Sequence, residues 1–456
     1  MKFSILPYTF AMAVVVASAA PTRVPAQEQA SQARLVTSQV SSPVSRPVGY
    51  VIINLGGLGG TQSRSNSINN RGWVTGWLNL PGDTVMHAVL WLHGQVVDLG
   101  TLGGLNSTIE WPVLNESGLI VGGAETGEPD PNGENFCLIN VPTGLCRAFL
   151  WHEGAMTALP TLGGPNSYAT GVNASGEIIG WSELAGADQN CIAPQVYNWH
   201  GFAYLNGTIR DLRPLPGHTL PEDTLSGALG INDAGDIVGA SGICGNANTM
   251  GFGITRHALL WRKDGSVIDL GNLGGDPSNS SGGFVATGIN NRGQISGFSD
   301  LAVDLITGDL ITHAFFWENG VMTDLGTLPG DSFSFAWGIG ESGQVLGQSC
   351  DSTQSICRGF IWQDGVMTDV NSLLPSESTL YVVDANFINA SGEITGQAVD
   401  TDTGYMPAIL MIPCSETTNA ACQAEARGDV RVQLSQHQRD VIRRNLHRFG
   451  HGEPRP

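Results

Sequence analysis

HAFFWENGVMTDLGTLPG, residues 313 to 330, has the outline of a β-hairpin. A short apolar strand meets Asn-Gly, a dipeptide that tolerates positive φ at both centres of a type I′ turn, and a second strand then runs into a Gly- and Pro-bearing bend. Near copies recur along most of the chain, so the reading of one copy decides the fold of all.

Three phrases each occur seven times in a fixed order. The first is the strand itself: HAVLW (87–91), RAFLW (147–151), a degenerate HGFAY (200–204), HALLW (257–261), HAFFW (313–317), RGFIW (358–362) and PAILM (407–411). The second is the bend: INLGGLGG (53–60), DLGTLGG (98–104), ALPTLGG (158–164), DLRPLPG (211–217), DLGNLGG (269–275), DLGTLPG (324–330) and DVNSLLP (369–375). The third is Asn, two residues, Gly and an apolar strand ending in Gly: SINNRGWVTG (67–76), VLNESGLIVG (113–122), GVNASGEIIG (171–180), GINDAGDIVG (230–239), GINNRGQISG (288–297), GIGESGQVLG (338–347) and FINASGEITG (387–396).

After the first phrase the chain reads HG, EG, NG, DG, NG or DG in successive copies, which predicts two-residue type I′ turns. In the third phrase Asn can bond its own backbone two residues on, and the Gly supplies a left-handed residue or a bulge. Each unit therefore holds about four short strands in two hairpins. Residues 50–413 divided among seven units give about 52 residues apiece, the length of a four-stranded propeller blade. The expectation is an all-β, seven-bladed β-propeller. GYVIINLG (49–56) and PAILMIP (407–413) fall in one blade, so the closing blade is shared by the N- and C-terminal strands and no open sheet edge is left. A β-solenoid or β-prism would also stack repeats, but solenoid coils are shorter and do not need two tight hairpins per unit.

HAFLW-like strands, NG-type turns, MTDLGTLGG-like bends and GINDAGDIVG together resemble the bacterial extracellular HAF repeat family, over residues 50–413. The resemblance implies export, repetition and a propeller, and no shared activity. HGFAY, Gly340 in place of Asn, and DVNSLLP depart from the pattern without changing the count.

The ends read differently. Lys2, an apolar run near residues 10–16 and Ala17-Ser18-Ala19 have the order of a secretory signal peptide within residues 1–26, with cleavage after Ala19 or Ala26. Residues 27–49 read as a flexible leader, and no later segment approaches the length of a membrane-spanning helix. Residues 50–422 hold ten Lys and Arg against 36 Asp and Glu, and from 423 onward seven Arg stand against four acids. The tail, 414–456, carries Leu434, Val441, Ile442, Leu446 and Phe449 at near-helical spacing, either docked or frayed. A net charge of −20 with two lysines excludes the phosphate attraction on which nucleic-acid binding rests. Export makes the eight cysteines disulfides. Spacing pairs Cys137 with Cys146, Cys350 with Cys357 and Cys414 with Cys422, leaving Cys191 for Cys244.

Chemistry is harder to find. His87, Arg147, His200, His257, His313 and Arg358 share one repeat position. Facing the channel they could hold an anion or a metal; as repeat furniture each would bond a nearby carbonyl, and a residue repeated in every blade serves the blade. Trp91, Trp151, Trp261, Trp317 and Trp362 of these strands read as core. No GxSxG, HExxH, Walker or dinucleotide motif occurs. Individuality lies in the loops between the third and first phrases, which count 10, 24, 19, 17, 15, 10 and 10 residues from first unit to last. They carry Glu125, Glu128, Asp130 and Glu134 in the second unit, Asp300, Asp304 and Asp309 in the fifth, and Asp400 and Asp402 in the last. These acids are the candidate ligand-binding residues, with Ca²⁺ as the one candidate cofactor. The expected function is a secreted or cell-surface, monomeric binding module for an extracellular polysaccharide or protein. The rivals are a polysaccharide hydrolase or lyase with channel-mouth carboxylates, and a purely structural envelope protein.

Overall fold

A computed structural model describes residues 49–414, except 140, 192–194, 218–221, 245–253, 278–282 and 302–310, together with 436 and 439. The signal peptide and the leader before residue 49 lie outside the described residues, as does the expected tail helix apart from Gln436 and Arg439, which are helical.

Blade one shows the plan: strands Ser63–Ile68, Val74–Asn79, Met86–Leu92 and Gln95–Asp98 pair in that order, each antiparallel to the next. Five more sheets repeat it, over 103–158, 163–212, 225–269, 284–324 and 333–369. The seventh consists of Leu380–Ile388, Ile394–Asp400 and Ala408–Pro413, with Tyr50–Asn54 from the N-terminal side as its outermost strand. Neighbouring blades meet through their first strands, which therefore ring the axis, and blade seven meets blade one. The sequence expectation of seven blades with a shared closing blade holds.

The repeated residues explain why the chain folds this way. Six of the seven inner strands carry an irregularity at the same place, just after Ser65, Ala169, Ala228, Ala286, Ala336 and Ala385. It pushes a carbonyl against the second strand, where a Cβ on Gly76, Gly180, Gly239, Gly297, Gly347 or Gly396 would sit 1.9–2.2 Å from that oxygen. Only Gly fits, which is the physical content of the Gly that ends the third phrase. The bulge residue then reaches the next blade: Asn66 donates to the Ile109 carbonyl (2.6 Å), Thr170 to Ala228 (2.7 Å), Thr287 to Ala336 (2.9 Å) and Asn386 to Ser65 (2.9 Å).

Serines on the inner strands add a second seam. The hydroxyls of Ser107, Ser167, Ser226, Ser334 and Ser63 accept N–H bonds from Ala88, Ala148, Gly201, Ala314 and Ala408 of the preceding blade at 2.8–3.0 Å. In blade seven, where DVNSLLP replaces the Gly bend, Val370–Leu373 forms a 3-10 turn capped by Asp369. There Asn371 exchanges two bonds with Val382 in the place of the serine.

The first-phrase turns are type I′ where the sequence asks for it: His93, Glu153, Asn206, Asn319 and Asp364 have φ of 49–52°, each followed by a left-handed Gly. Blade four is a correction. Only Gly265 of its Asp264-Gly265 pair has positive φ, and the turn runs from Arg262 to Ser266, with Arg262 N–H bonded to the Ser266 carbonyl and Gly265 N–H to that of Arg262. A longer, bulged connection with one left-handed residue replaces the two-residue turn there.

Candidate functional site

Strand order puts the Asn turns and the first-phrase turns on one face, and the long loops and Gly-rich bends on the other. The two faces differ in kind.

On the turn face the repeated Asn does more than cap its own turn. Asn173 Oδ1 accepts from Ser175 N–H (3.1 Å) and Glu177 N–H (2.9 Å), while its amide donates to the Asn232 carbonyl of the next blade at 3.2 Å. The same crossing runs from Asn69 to Asn115, Asn115 to Asn173, Asn232 to Asn290, Asn290 to Gly340 and Asn389 to Asn69. Six of seven junctions are thus bridged, and the gap is at Gly340, which has no amide to offer. A second ring lies alongside. Glu116, Asp233, Asn291, Glu341 and Asn70 each accept a backbone N–H from the preceding blade, and where Ala174 or Ala390 stands there is no side-chain acceptor. These turns spend their polar groups on one another.

The repeated cations stand on third strands, two strands out from the axis. His87 Nδ1 lies 2.8 Å from Asp98 and its Nε2 3.1 Å from the Leu105 carbonyl. His200 and His313 pair with Asp211 (2.8 Å) and Asp324 (2.9 Å), the same Asp of the second phrase. Arg358 bridges Asp331 (2.8 Å) and Asp369 (3.2 Å), and Arg147, whose blade has Ala158 in place of that Asp, donates to the Gly164 carbonyl at 3.4 Å. His257 instead takes Asp223 (2.8 Å). The hydrogen bond to Asp98 holds the His87 imidazolium above its ordinary range and Asp98 below its own. The channel-lining alternative is not how these side chains are placed.

The inner strands hold a different cation. Arg64 on the inner strand of blade one is buried against Asp384 (2.9 Å) and Asn386 (3.0 Å) of blade seven, with Glu110 of blade two 3.6 Å away. Burial holds Asp384 above the ordinary carboxylate range, and the Arg64 charge offsets only part of that. This clasp ties the three blades at the ring closure. Sequence reading missed it, because none of its members sits in a repeated phrase.

On the loop face three disulfides, Cys137–Cys146, Cys191–Cys244 and Cys350–Cys357, fix the long connections, the second of them joining blade three to blade four. They match the expected pairings. Cys422, the expected partner of Cys414, lies outside the described residues. The second loop is not a surface flap, since Phe136, Cys137, Leu138 and Ile139 are buried in the largest core cluster.

The acids divide three ways. Glu125 and Asp300, expected to face a ligand, are buried: Glu125 accepts from Asn106, Thr143 and Gly144, and Asp300 from Thr312 at 2.7 Å. Glu125 holds the Thr143 and Gly144 N–H groups of its loop, and Asp300 ties the Thr312 hydroxyl at the start of the third strand, since a polar group inside the fold needs hydrogen-bond partners. Glu128 and Asp402 are exposed, and Asp400 caps its own loop through Asp402 N–H (3.0 Å) and Thr403 (2.9 Å). Asp304 and Asp309 lie outside the described residues. Asp130 and Glu134 converge on Glu183, a residue no loop count singled out. Asn166 donates to Asp130 (3.1 Å), Glu134 (3.4 Å) and, through its backbone, Glu183 (2.8 Å), and Val196 N–H donates to Glu134 (3.0 Å). Burial, with the Glu134 charge beside it, pushes Glu183 up to about 9. At neutral pH Glu183 keeps its proton, which lets it lie beside Glu134 and so favours the second loop against blade three. Among the described residues no three Asp, Glu, His or Cys converge as metal ligands.

No protein-family model matches the chain, and no curated relative does. Among solved structures it is similar to the β-propeller domain of the Trilobed protease from Pyrococcus furiosus, with TM-score 0.46 and 9% identity over 78% of this chain and 96% of that one. It is also similar to the polysaccharide lyase Uly1, with TM-score 0.42 and 10% identity over 78% of this chain and 90% of that one. A third likeness is to TolB from Acinetobacter baumannii, with TM-score 0.33 and 11% identity over 81% of this chain and 80% of that one. The fold stands on the sheet topology itself, and likenesses of this degree bring no activity with them.

Proposed function

We propose that the chain is an exported binding module that holds an extracellular polysaccharide or protein with its loop-bearing face, in the sector of blades seven, one and two. The observation that carries this is where large apolar side chains meet water. Among the described residues Leu58, Leu105, Val141 and Tyr405 are exposed on that face in those three blades, while Ile53, Val321 and Val366 sit on outermost strands. Exposed apolar side chains on a face that also carries exposed acids, here Glu128 and Asp402, are the composition of a contact surface. Three disulfides favour an oxidising compartment and the exported location. The second loop cannot be trimmed as a test, because its centre is core. The test is an array of glycans and extracellular proteins probed with the wild type, with Leu105→Ser/Val141→Ser/Tyr405→Ser, and with Val321→Ser/Val366→Ser. The reading expects specific hits that the first variant loses and the second keeps; no hit, or equal loss in both, contradicts it.

A further inference from the structure

Two adjacent blades carry an exposed apolar residue at a place where the repeat does not need one. The fourth strand, entered from the first-phrase turn, begins with Gln95, Ala155 and Thr208 in blades one to three, and with Val321 and Val366 in blades five and six. In blade four it begins with the half-buried Val267. Val321 and Val366 are 63% and 47% exposed, on outermost strands and at the turn-face end of their blades. Blade seven, packed against blade six, has no such turn. Its third strand ends at Pro413, its fourth is Tyr50–Asn54, and the chain leaves at Cys414, whose N–H is bonded to the Gly49 carbonyl at 2.9 Å. The tail therefore departs from the rim at the level where the neighbouring blades turn into Val366 and Val321.

The tail has the composition to cover those side chains. Wound as a helix at about 100° per residue, Leu434, Val441, Ile442, Leu446 and Phe449 fall within an arc of about 140°, with Arg439 and Arg448 bordering it on its two sides and Gln436 far from it. Gln436 and Arg439 are helical, the first exposed and the second half-buried, as a helix lying on that arc requires. The charges are complementary. Residues 434–449 hold four Arg against Asp440, whereas blades five to seven, residues 284–413, hold fifteen Asp and Glu against Arg292 and Arg358 and no Lys. Arg358 is already committed to Asp331 and Asp369, while Asp364, in the turn before Val366, is exposed. Reach is sufficient. With Cys422 paired to Cys414 as their spacing predicts, the 11 residues 423–433 can still extend to about 35 Å.

We propose that residues 434–449 of this chain dock as an amphipathic helix along the rim of blades five and six, the apolar arc on Val321 and Val366 and the flanking arginines toward Asp324 and Asp364. Because the segment is tethered, its effective concentration is in the millimolar range, so a small contact suffices. The proposal is independent of the loop-face reading and of its array test. It is tested on the full mature protein by photo-crosslinking, with p-benzoylphenylalanine at position 366 or, as the control, at position 95, and mapping by mass spectrometry. Cross-links from 366 to 434–449 within one chain, absent from 95, are expected; none from 366 to the tail, or links only to a second copy, overturn the proposal. Trypsin cleavage at Arg439, Arg443, Arg444 and Arg448 is the second measurement. Val321→Ser/Val366→Ser and Leu446→Ala/Phe449→Ala, the latter keeping helix propensity, should each speed it about tenfold, Gln95→Ser should not, and raising salt to about 0.5 M should speed it in the wild type. Equal cleavage in the wild type and both double variants overturns the docking, and indifference to salt overturns its electrostatic half.

Discussion

Replacing Asn173 by Ala tests whether the most repeated residue of the chain serves the fold. The side chain is buried, with 4% exposure, and its loss removes the bonds from Ser175 N–H and the Ser175 hydroxyl, from Glu177 N–H and to the Asn232 carbonyl. The losses are unequal. The Asn232 carbonyl keeps a bond from Gly235 N–H (3.0 Å), and Ser175 lies on an exposed turn where water can replace the acceptor. Glu177 N–H, half-buried at the start of the second strand, has no such recourse. At about 1 kcal/mol for each bond, with a further penalty of about 1 for the stranded donor and a partial refund from water, the cost is about 2–3 kcal/mol. Urea unfolding followed by Trp fluorescence measures it. Asn115→Ala and Asn232→Ala should fall in the same range, because each stands in the same turn with the same crossing. A cost below about 0.5 kcal/mol in all three would refute the claim that the Asn ring binds blade to blade.

Four further outcomes follow from the geometry. Glu183 has a folded pKa near 9 against an ordinary 4.5, so the folded state binds the extra proton between those values; its contribution is complete below about 4.5 and is lost as pH rises toward 9. Wild-type melting should fall across that window more steeply than that of Glu183→Gln, and the difference isolates the pair from His87, whose raised pKa has the same sign; parallel profiles would rule that proton out. Arg358→Ala strands two acids around a side chain only 5% exposed and should cost about 3–5 kcal/mol, whereas Arg147→Ala, losing one long bond, should cost about 1 or less. Replacing both members of Cys191–Cys244, which closes 53 residues, should cost about 4 kcal/mol, against about 2.5 for Cys350–Cys357, which closes 7. Melting with and without EDTA should coincide, as no metal-ligand group is present among the described residues; a drop on chelation would restore calcium to the acidic loops.

What the sequence made legible follows its periodicity. Blade number, strand order, the shared closing blade and the Cys137–Cys146 and Cys350–Cys357 disulfides depend on phrases that repeat or on short separations, where local rules act, and Cys191–Cys244, 53 residues apart, follows only by elimination. Five things escaped. The Arg64 clasp and the Glu134–Glu183 pair join residues from different blades, which no spacing encodes. Glu125 and Asp300 looked like surface acids because loop residues are usually exposed, yet long loops here fold inward and need buried acceptors. The Asn crossing was hidden because one amide can serve two turns, and only the ring shows the second. The blade-four turn has the right dipeptide but more residues around it.

The central claim is a division of labour: repeated residues build the propeller and one face of loops binds. It is tested most directly by scanning single substitutions across residues 50–413, reading each twice, for protease resistance and for retention of a ligand identified on the array. Positions that lose the ligand but keep the fold should gather on the loop face and be absent from the Asn turns and the third-strand cations. Binding-only positions concentrated at Glu116, Asp233 and Glu341 on the turn face, or at His87, His200 and His313, would contradict the account.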